Sequence, residues 1–341
     1  MDGLEFMRRL AQTGFRGSVI LVSAIEAALL GASEAMTRAY GINLLGVIAK
    51  PVTRAALARL LVRHAAAAAK LNSKPVSIRT FAVDEILDGL KRNQFEPFFQ
   101  PKVDMSTRRI VGMEALARWR HPRHGIVPPM SFITPLEEAG QIDQLTWPML
   151  TKGMAFCSTL NATGVESSVA VNLALSSLGD ADLAKRVTEL ASTYELAPER
   201  ICIEVTETTA TTNMASALEN LTRLRLKGFT LSIDDFGTGY SSMQQLARIP
   251  FTELKVDRAF VTNALSNEAA RVIRKSSLQL ARDLNIRAVA EGVETQRDWE
   301  LLAELGCDLA QGYYIAQPMD ARAYSAWLRD LSKNPRSVFM I

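Results

Sequence analysis

The segment ICIEVTE (201–207) is followed by FTLSIDDFG (229–237) and then by FTELKVD (251–257), and these three stretches decide the fold class. Each is short, apolar and rich in β-branched or aromatic residues, which is typical of a buried strand. A helical pattern over 214–228, ending on a glycine, separates the first two. Strands that alternate with helices build parallel sheets. The three segments therefore predict consecutive β/α units.

The same alternation extends over most of 79–341. Further strands are predicted at 98–104, 109–119, 167–174, 286–294 and 309–318, and further helices at 182–195, 267–285 and 295–306. In the last helix, Thr295 is the expected N-cap, Asp298 supports the first turn and Gly306 closes the end. About eight strands with alternating helices over ~250 residues predict an α/β fold, a (β/α)8 TIM-like barrel. Since only 105–108 separate the first two strands, they form a hairpin, and we expect an antiparallel first strand.

Polar side chains in these strands share one parity. Successive side chains of a barrel strand alternate between the interior and the helix layer. Ile201, Ile203 and Val205 suit the helix side, so Glu204 points inward. The same alternation places three more polar residues inward near the carboxyl ends of their strands: Asn172, Asp234 and Lys255. Barrel enzymes build their active sites at that end.

Several acids are predicted to converge there with one amide: Glu114, Glu204, Asp234, Asp235, Glu291 and Asn172. Burying carboxylates together is costly unless cations neutralise them. An oxygen-rich set suits Mg2+ or Mn2+ rather than zinc, and this one is large enough for two ions. Two ions point to phosphoryl chemistry, in which they would activate a water and stabilise the leaving oxygen. Histidine is not expected as a ligand, because none of His64, His121 and His124 is predicted at a strand end.

Each of these residues also has a plain interpretation when taken alone. Asp234 and Asp235 could cap a turn, since glycines follow them. Lys255 could be solvated, and Glu207 could be a helix-start acid. The combination favours a site, because each residue falls at the same end of a different strand.

At this point the chain resembles a known family. MEALARW (113–119) is similar to the signature of EAL-domain cyclic di-GMP phosphodiesterases. The resemblance covers roughly 80–331 and includes an ordered set of motifs: QP (100–101), VNLALSSL (171–178), IEVTE (203–207), DDFGTGYSS (234–242), LKVDRAFV (254–261), AEGVET (290–295) and QGYY (311–314).

The resemblance implies a role for each matched residue. The implied metal ligands are Glu114, Asn172, Glu204, Asp234 and Asp235, with Glu291 as a ligand or base and Gln311 as a positioner of water or metal. Lys255 would contact the attacking water and the scissile phosphate. The implied substrate contacts are Gln100, Leu116 and Arg118, the last on a phosphate. Asp257 and Glu294 would contact guanine or support other residues, and Glu207 would anchor the loop that holds Asp235.

The implied reaction is hydrolysis of cyclic di-GMP to linear pGpG by a two-metal mechanism. An alternative is a catalytically silent cyclic di-GMP receptor that signals through a partner surface. The chain has all of the matched acids, which favours the enzyme. A weaker third interpretation, an unrelated barrel enzyme with a metal-stabilised enolate, leaves the ordered motif set unexplained.

The first 70 residues resemble the second half of a receiver domain. Their predicted order is helix (3–11), strand (18–24), helix (27–40), strand (44–51) and helix (53–70). Ser23 matches the switch position and Lys50-Pro51 the Lys-Pro pair, whereas no phosphate-accepting aspartate precedes Met1. We expect a partial receiver-like fragment (1–70), a linker (71–79), the barrel (80–331) and a tail (332–341). A sensor kinase would be a partner only of a full-length receiver.

Composition excludes several classes. A formal net charge of +3, with scattered basic residues, does not favour nucleic acid or an anionic membrane as a partner. The three cysteines fit neither a zinc site nor a redox pair, and we expect reduced, buried thiols. The N-terminus lacks the pattern of a signal peptide, and no apolar stretch of ~20 residues is present. We therefore expect a cytoplasmic protein, and by analogy with the family a homodimer or higher homo-oligomer.

Overall fold

A computed structural model of the protein describes residues 3–13, 15, 17–23, 37, 40–58, 60–61, 80–174, 176–206, 214–237, 246, 248–262 and 267–333. The chain divides into two compact units, Met1–Ser77 and Ile78–Ile341. Among the described residues, no helix is both long and apolar enough to cross a membrane.

The first unit contains a small parallel sheet. Helix α1 (Gly3–Gln12) precedes strand β1 (Ser18–Ser23), which pairs in parallel with β2 (Asn43–Ala49). Residues 54–58 and 60–61 are helical. Both predicted strands and their parallel pairing are confirmed. The predicted helix at 27–40 and the predicted linker at 71–79 lie outside the described residues, apart from Thr37 and Tyr40.

The second unit is a closed barrel of eight strands. These are β3 (Phe95–Asp104), β4 (Ile110–His121), β6 (Ser168–Asn172), β7 (Ile201–Thr206), β8 (Thr230–Phe236), β9 (Glu253–Val256), β10 (Arg287–Ala290) and β11 (Leu309–Ala310), with β5 (Gly125–Val127) added to the edge of β4. The order is β3-β11-β10-β9-β8-β7-β6-β4, and the β3–β4 pairing closes the ring. The predicted TIM-like fold is confirmed.

Strand β3 runs against the rest of the ring. It pairs antiparallel with both β4 and β11, whereas the other neighbours in the ring pair in parallel. A connection of only a few residues after β3 forces the chain to reverse, because a parallel return needs a long crossover. The predicted antiparallel first strand is therefore confirmed.

Helices surround the barrel. They are α2 (Val83–Lys91), α3 (Ile133–Glu138), α4 (Asp143–Ala162), α5 (Leu183–Thr193), α6 (Met214–Leu226), α7 (Arg258–Thr262), α8 (Glu268–Asp283), α9 (Gln296–Glu304) and α10 (Ala321–Lys333). The predicted Thr295 N-cap of α9 is confirmed: the Thr295 side chain accepts from the Asp298 backbone, and the Asp298 carboxylate accepts from Thr295, which makes a capping box. Helix α10 extends two residues past the predicted barrel end at 331.

The apolar and polar faces of the strands separate as the parity predicts. Ile203 and Val205 of β7 and Ile233 of β8 belong to the large apolar cluster that packs under the helices. Glu204, at the alternate position, is fully buried on the other face. The helix layer supplies the hydrophobic stabilisation, which leaves the interior face free to carry charges.

The structure differs most from the predicted strand lengths at β10 and β11. β10 ends at Ala290 and β11 at Ala310, although the predicted strands continued to 294 and 318. Gly292 at φ +62° turns the chain away after β10, and Gly312 packs against the backbone of Val293 in the turn after β11. The polar and glycine residues beyond each strand thus form the rim of the barrel.

Gly312 is expected to tolerate no side chain. A Cβ at this position would lie 2.2 Å from both the backbone nitrogen and the oxygen of Val293. We predict that Gly312→Ala lowers the free energy of unfolding by about 2 kcal/mol or more, measured by urea denaturation. Gly179→Ala is the control, because a Cβ at that position would have no neighbouring atom within 4 Å, and it should change stability by less than about 0.5 kcal/mol. Equal effects of the two substitutions would contradict the prediction.

Candidate active site

The ammonium of Lys255 lies among four carboxylates at the carboxyl end of the barrel. Its Nζ is 2.6 Å from Glu291 Oε1, 3.0 Å from Glu204 Oε2, 3.2 Å from Asp234 Oδ2 and 3.4 Å from Glu114 Oε2. The acids come from β4, β7 and β8 and from the turn after β10. The structure thus brings together five of the residues that the sequence placed at this end.

Side-chain amides complete the layer around Glu114. Asn172 Nδ2 donates to Glu114 Oε1 at 3.2 Å, and Gln311 Nε2 donates to Glu114 Oε2 at 2.6 Å. Gln311 also donates to Gln100 Oε1 at 3.0 Å, and Gln100 in turn donates to the carbonyl of Ala316. The Oε1 of Gln311 is buried without a hydrogen-bond partner. A buried acceptor of this kind calls for a donor or a cation.

Asp235 has a left-handed backbone conformation, and its backbone contacts the side chain of Asp234. Its φ is +55°, uncommon outside glycine, and its backbone nitrogen donates to Asp234 Oδ1 at 2.9 Å. Carboxylate oxygens of Asp234, Asp235 and Glu291 lie within 4.8 Å of one another. A second set with the same spacing, Glu114, Glu204 and Asp234, shares Asp234 with the first.

The cluster has more negative than positive charge. Burial, and after it the charge of Glu204, raises the pKa of Glu114 to about 7. Burial and the adjacent Asp234 raise the pKa of Asp235 to about 6, and burial raises the pKa of Glu291 well above its usual value. Glu204 differs: burial alone would raise its pKa, but the charges of Lys102 and Lys255 outweigh burial and lower it to about 2.

A cavity of about 260 Å3 opens over the acids. Four of the residues predicted to contact substrate line it: Gln100, Leu116, Arg118 and Glu294. Asp257 instead accepts a hydrogen bond from the Ala259 backbone at 2.8 Å, at the start of α7. Glu207 lies outside the described residues, as do residues 238–242 of the predicted DFGTGYSS loop.

Comparison with known proteins agrees with this geometry. The family model described as EAL domain matches residues 83–318. The chain belongs to the EAL domain family. It is similar to the cyclic di-GMP phosphodiesterase RocR of Pseudomonas aeruginosa, with 37% identity over 319 residues, which covers 94% of this chain and 81% of RocR. A match of that length includes much of the segment before residue 83.

Two further comparisons concern MucR, a protein of Pseudomonas aeruginosa that is named as a bifunctional diguanylate cyclase/cyclic di-GMP phosphodiesterase. The identity is 36% over 238 residues, which covers 70% of this chain but only 35% of MucR. The solved structure of the PaMucR phosphodiesterase in complex with c-di-GMP is 36% identical, with a TM-score of 0.67, and the match covers 71% of this chain and 98% of that chain.

Sequence reasoning missed several residues of this EAL domain. Arg258 and Tyr313 line the cavity, and Arg258 Nη2 lies 2.5 Å from Glu294 Oε1. Lys102 is buried beneath the acids and contacts Glu204. Lys102 could have been found, since it has the same parity on β3 as Gln100. Arg258 stands in a helix, where strand parity gives no signal.

The position predicted for His121 was wrong. It is the last residue of β4 and therefore does lie at a strand end. Its Nε2 is 3.1 Å from Glu85 Oε1 of α2, and its ring packs against Phe81 and Trp119. The contacts of His121 are thus with the helix layer. The three cysteines are free and buried, as predicted.

The donor set fits divalent cations. Two overlapping groups of carboxylates, an adjacent amide and an unpartnered buried carbonyl oxygen supply hard oxygen ligands. Burial is the largest cause of the raised pKa values of Glu114, Asp235 and Glu291, and the negative charge of neighbouring acids raises them further.

We predict that Asp235→Asn stabilises the protein in the presence of a chelator. The substitution removes repulsion from Asp234, and asparagine tolerates the positive φ of this position. The free energy of unfolding in urea with EDTA should rise by about 0.5–1 kcal/mol. Glu189→Gln, on the exposed face of α5, is the control and should have no such effect. A loss of stability in Asp235→Asn would show that repulsion within the cluster does not lower the free energy of unfolding of the metal-free protein.

Proposed function

We propose that this EAL domain is a metal-dependent phosphodiesterase that hydrolyses cyclic di-GMP to linear pGpG. The observation that carries the proposal is the excess of buried carboxylates around Lys255. They lie at the end of the barrel where enzymes of this fold have their active sites. RocR, which is named as a cyclic di-GMP phosphodiesterase, supports the choice of substrate.

Two cations, Mg2+ or Mn2+, would be held by the two overlapping acid groups. Glu114, Asn172, Glu204 and Asp234 would hold one, and Asp234, Asp235 and Glu291 the other. When bound, the cations would activate a water and stabilise the leaving oxygen of the phosphodiester. The unpartnered carbonyl oxygen of Gln311 supports its role in positioning a water or a cation.

Lys255 and Glu291 are the residues that we propose for the chemistry of the chain itself, Lys255 as a charged donor and Glu291 as a base. The Lys255 ammonium keeps its proton, because the surrounding acids raise its pKa well above normal although burial opposes this. A permanently charged donor at this place can hold the scissile phosphate and orient the attacking water. Glu291, 2.6 Å from Lys255 Nζ, is placed to accept the proton of that water.

The residues around the cavity provide for the rest of the substrate. Arg118 would contact a phosphate, and Gln100 and Leu116 would contact the nucleotide beside it. Glu294 is held by Arg258, and its carboxylate can accept hydrogen bonds from the N–H groups of guanine. The contact of Asp257 with the α7 backbone favours a supporting role for that residue.

A receptor that binds cyclic di-GMP without cleaving it is the second candidate. It would need the cavity but not a complete set of cation ligands. All the predicted ligands among the described residues are present and converge, which favours the enzyme.

Further proposals come from the sequence. The segment 1–70 is receiver-like, since its parallel strand pair fits that fold, and its boundaries with the barrel and the tail lie at 71–79 and 331. The protein forms a homodimer or higher homo-oligomer and works in the cytoplasm. A sensor kinase is a partner only where a complete receiver exists.

We predict that the purified protein converts cyclic di-GMP to pGpG only with Mg2+ or Mn2+. Glu114→Ala should abolish conversion, because Glu114 belongs to a cation group and accepts from both Asn172 and Gln311. Chromatography of the nucleotides, with metal and with EDTA, provides the measurement. Tight binding of cyclic di-GMP with no turnover at saturating metal would establish the receptor instead.

We also predict that Arg118→Ala lowers kcat/KM by roughly 10- to 100-fold, mainly through a higher KM. This is the usual effect of losing a hydrogen bond between charged groups. Arg120→Ala is a matched control on the same strand, since Arg120 pairs with Glu96 and Asp320 and does not line the cavity. A larger effect at Arg120 than at Arg118 would contradict the assigned phosphate contact.

A further inference from the structure

A second lysine is buried below the acids of the site. Lys102 of β3 is only 4% exposed, and its Nζ lies 2.9 Å from Glu204 Oε1 and 2.7 Å from Glu253 Oε1. Glu253 is the first residue of β9 and Arg287, 3.6 Å away, is the first of β10. Glu253 and Arg287 therefore lie toward the end of the barrel opposite the active site. At that end, Lys102, Glu253 and Arg287 border a cavity of about 360 Å3.

Glu204 is held at both of its oxygens. Lys102 contacts Oε1 and Lys255 contacts Oε2 at 3.0 Å. Lys255 also contacts Glu114, Asp234 and Glu291, so its charge is shared among four acids. The charge of Lys102 is shared between two acids, Glu204 and Glu253, so a larger part of it acts on Glu204. Donors on opposite oxygens fix the plane of a carboxylate, which a donor on one oxygen does not.

The Lys102 ammonium supplies the positive charge of the lower layer. Cys202, Glu204 and Glu253 have potential ligand atoms within 4.8 Å of one another, an arrangement able to hold a cation. Lys102 Nζ already lies within 2.9 Å of both carboxylates. The position therefore belongs to Lys102.

We infer that Lys102 is a positioning residue that orients Glu204 for cation binding, through the contact of its ammonium with Glu204 Oε1. The inference rests on the proposed function, since it takes Glu204 as a cation ligand. Removal of a group that orients a metal ligand typically lowers the metal affinity 10- to 100-fold. Lys102 acts through Glu204.

A purely structural ion pair is the competing explanation, and a double variant separates the two. Lys102→Met combined with Glu253→Gln removes one positive and one negative charge, so the charge balance of the interior is kept. Replacement of a buried ion pair by neutral side chains is often neutral for stability. Glu204 nevertheless loses the donor to Oε1.

The decisive measurement is titration of metal-free protein with Mn2+ in a calorimeter, without substrate. The dissociation constant of the double variant should rise by about 10- to 100-fold, while urea unfolding in EDTA stays close to that of the wild type. Wild-type affinity in the folded double variant would overturn the inference. A wild-type protein that binds no Mn2+ would instead contradict the proposed function.

Two single variants complete the test. Lys152→Met removes a lysine of α4 that donates to Asn93 Oδ1 at 2.6 Å and to the Phe95 carbonyl, and it should leave Mn2+ affinity unchanged. Glu253→Gln keeps Lys102 and should change the affinity by less than about threefold. If the double variant does not fold, Glu253→Gln decides: a tenfold loss would assign the effect to interior charge balance and overturn the role of Lys102.

Discussion

The site depends on the ion pairs that the buried ammonium of Lys255 makes with the surrounding acids. Four carboxylates approach it within 3.4 Å, and no apolar core would accept these groups singly, since an unpaired buried charge costs several kcal/mol. The barrel accepts them because the opposite faces of β7, β8 and β9 bury Ile, Leu and Val under the helices. Hydrophobic stabilisation in the outer layer thus permits repulsion in the inner one.

Closure of the sheet by an antiparallel hairpin determines how the interior is filled. Because β3 runs against its neighbours, Gln100 lies toward the active-site rim and Lys102 lies deeper. Gln100 joins the amide network around Glu114, while Lys102 reaches the acids below. A parallel strand with the same sequence would reverse these two positions. The orientation of one strand therefore decides which residue lines the cavity over the acids and which meets the acids below.

Much of this arrangement could be predicted from strand parity. Asn172, Glu204, Asp234 and Lys255 were expected to share the inner face, and the structure brings them together. Parity could not predict the positive φ of Asp235, which depends on the turn after β8. Helix α4 was also missed: it contains Pro148 and buries residues on several sides, so its apolar pattern lacks a clear helical period.

The interior of the barrel has two layers with different charge balance, and the difference makes one end electrostatically more favourable for cations. In the lower layer, Lys102 and Arg287 offset Glu253 and one oxygen of Glu204. In the upper layer, the cation in ion-pair contact with Glu114, Asp234 and Glu291 among the described residues is Lys255, and Asp235 adds a further negative charge. Divalent cations relieve repulsion only where it exists. The lower triad of Cys202, Glu204 and Glu253 has ligand spacing but no deficit of positive charge, so geometry alone would suggest a site that electrostatics does not support.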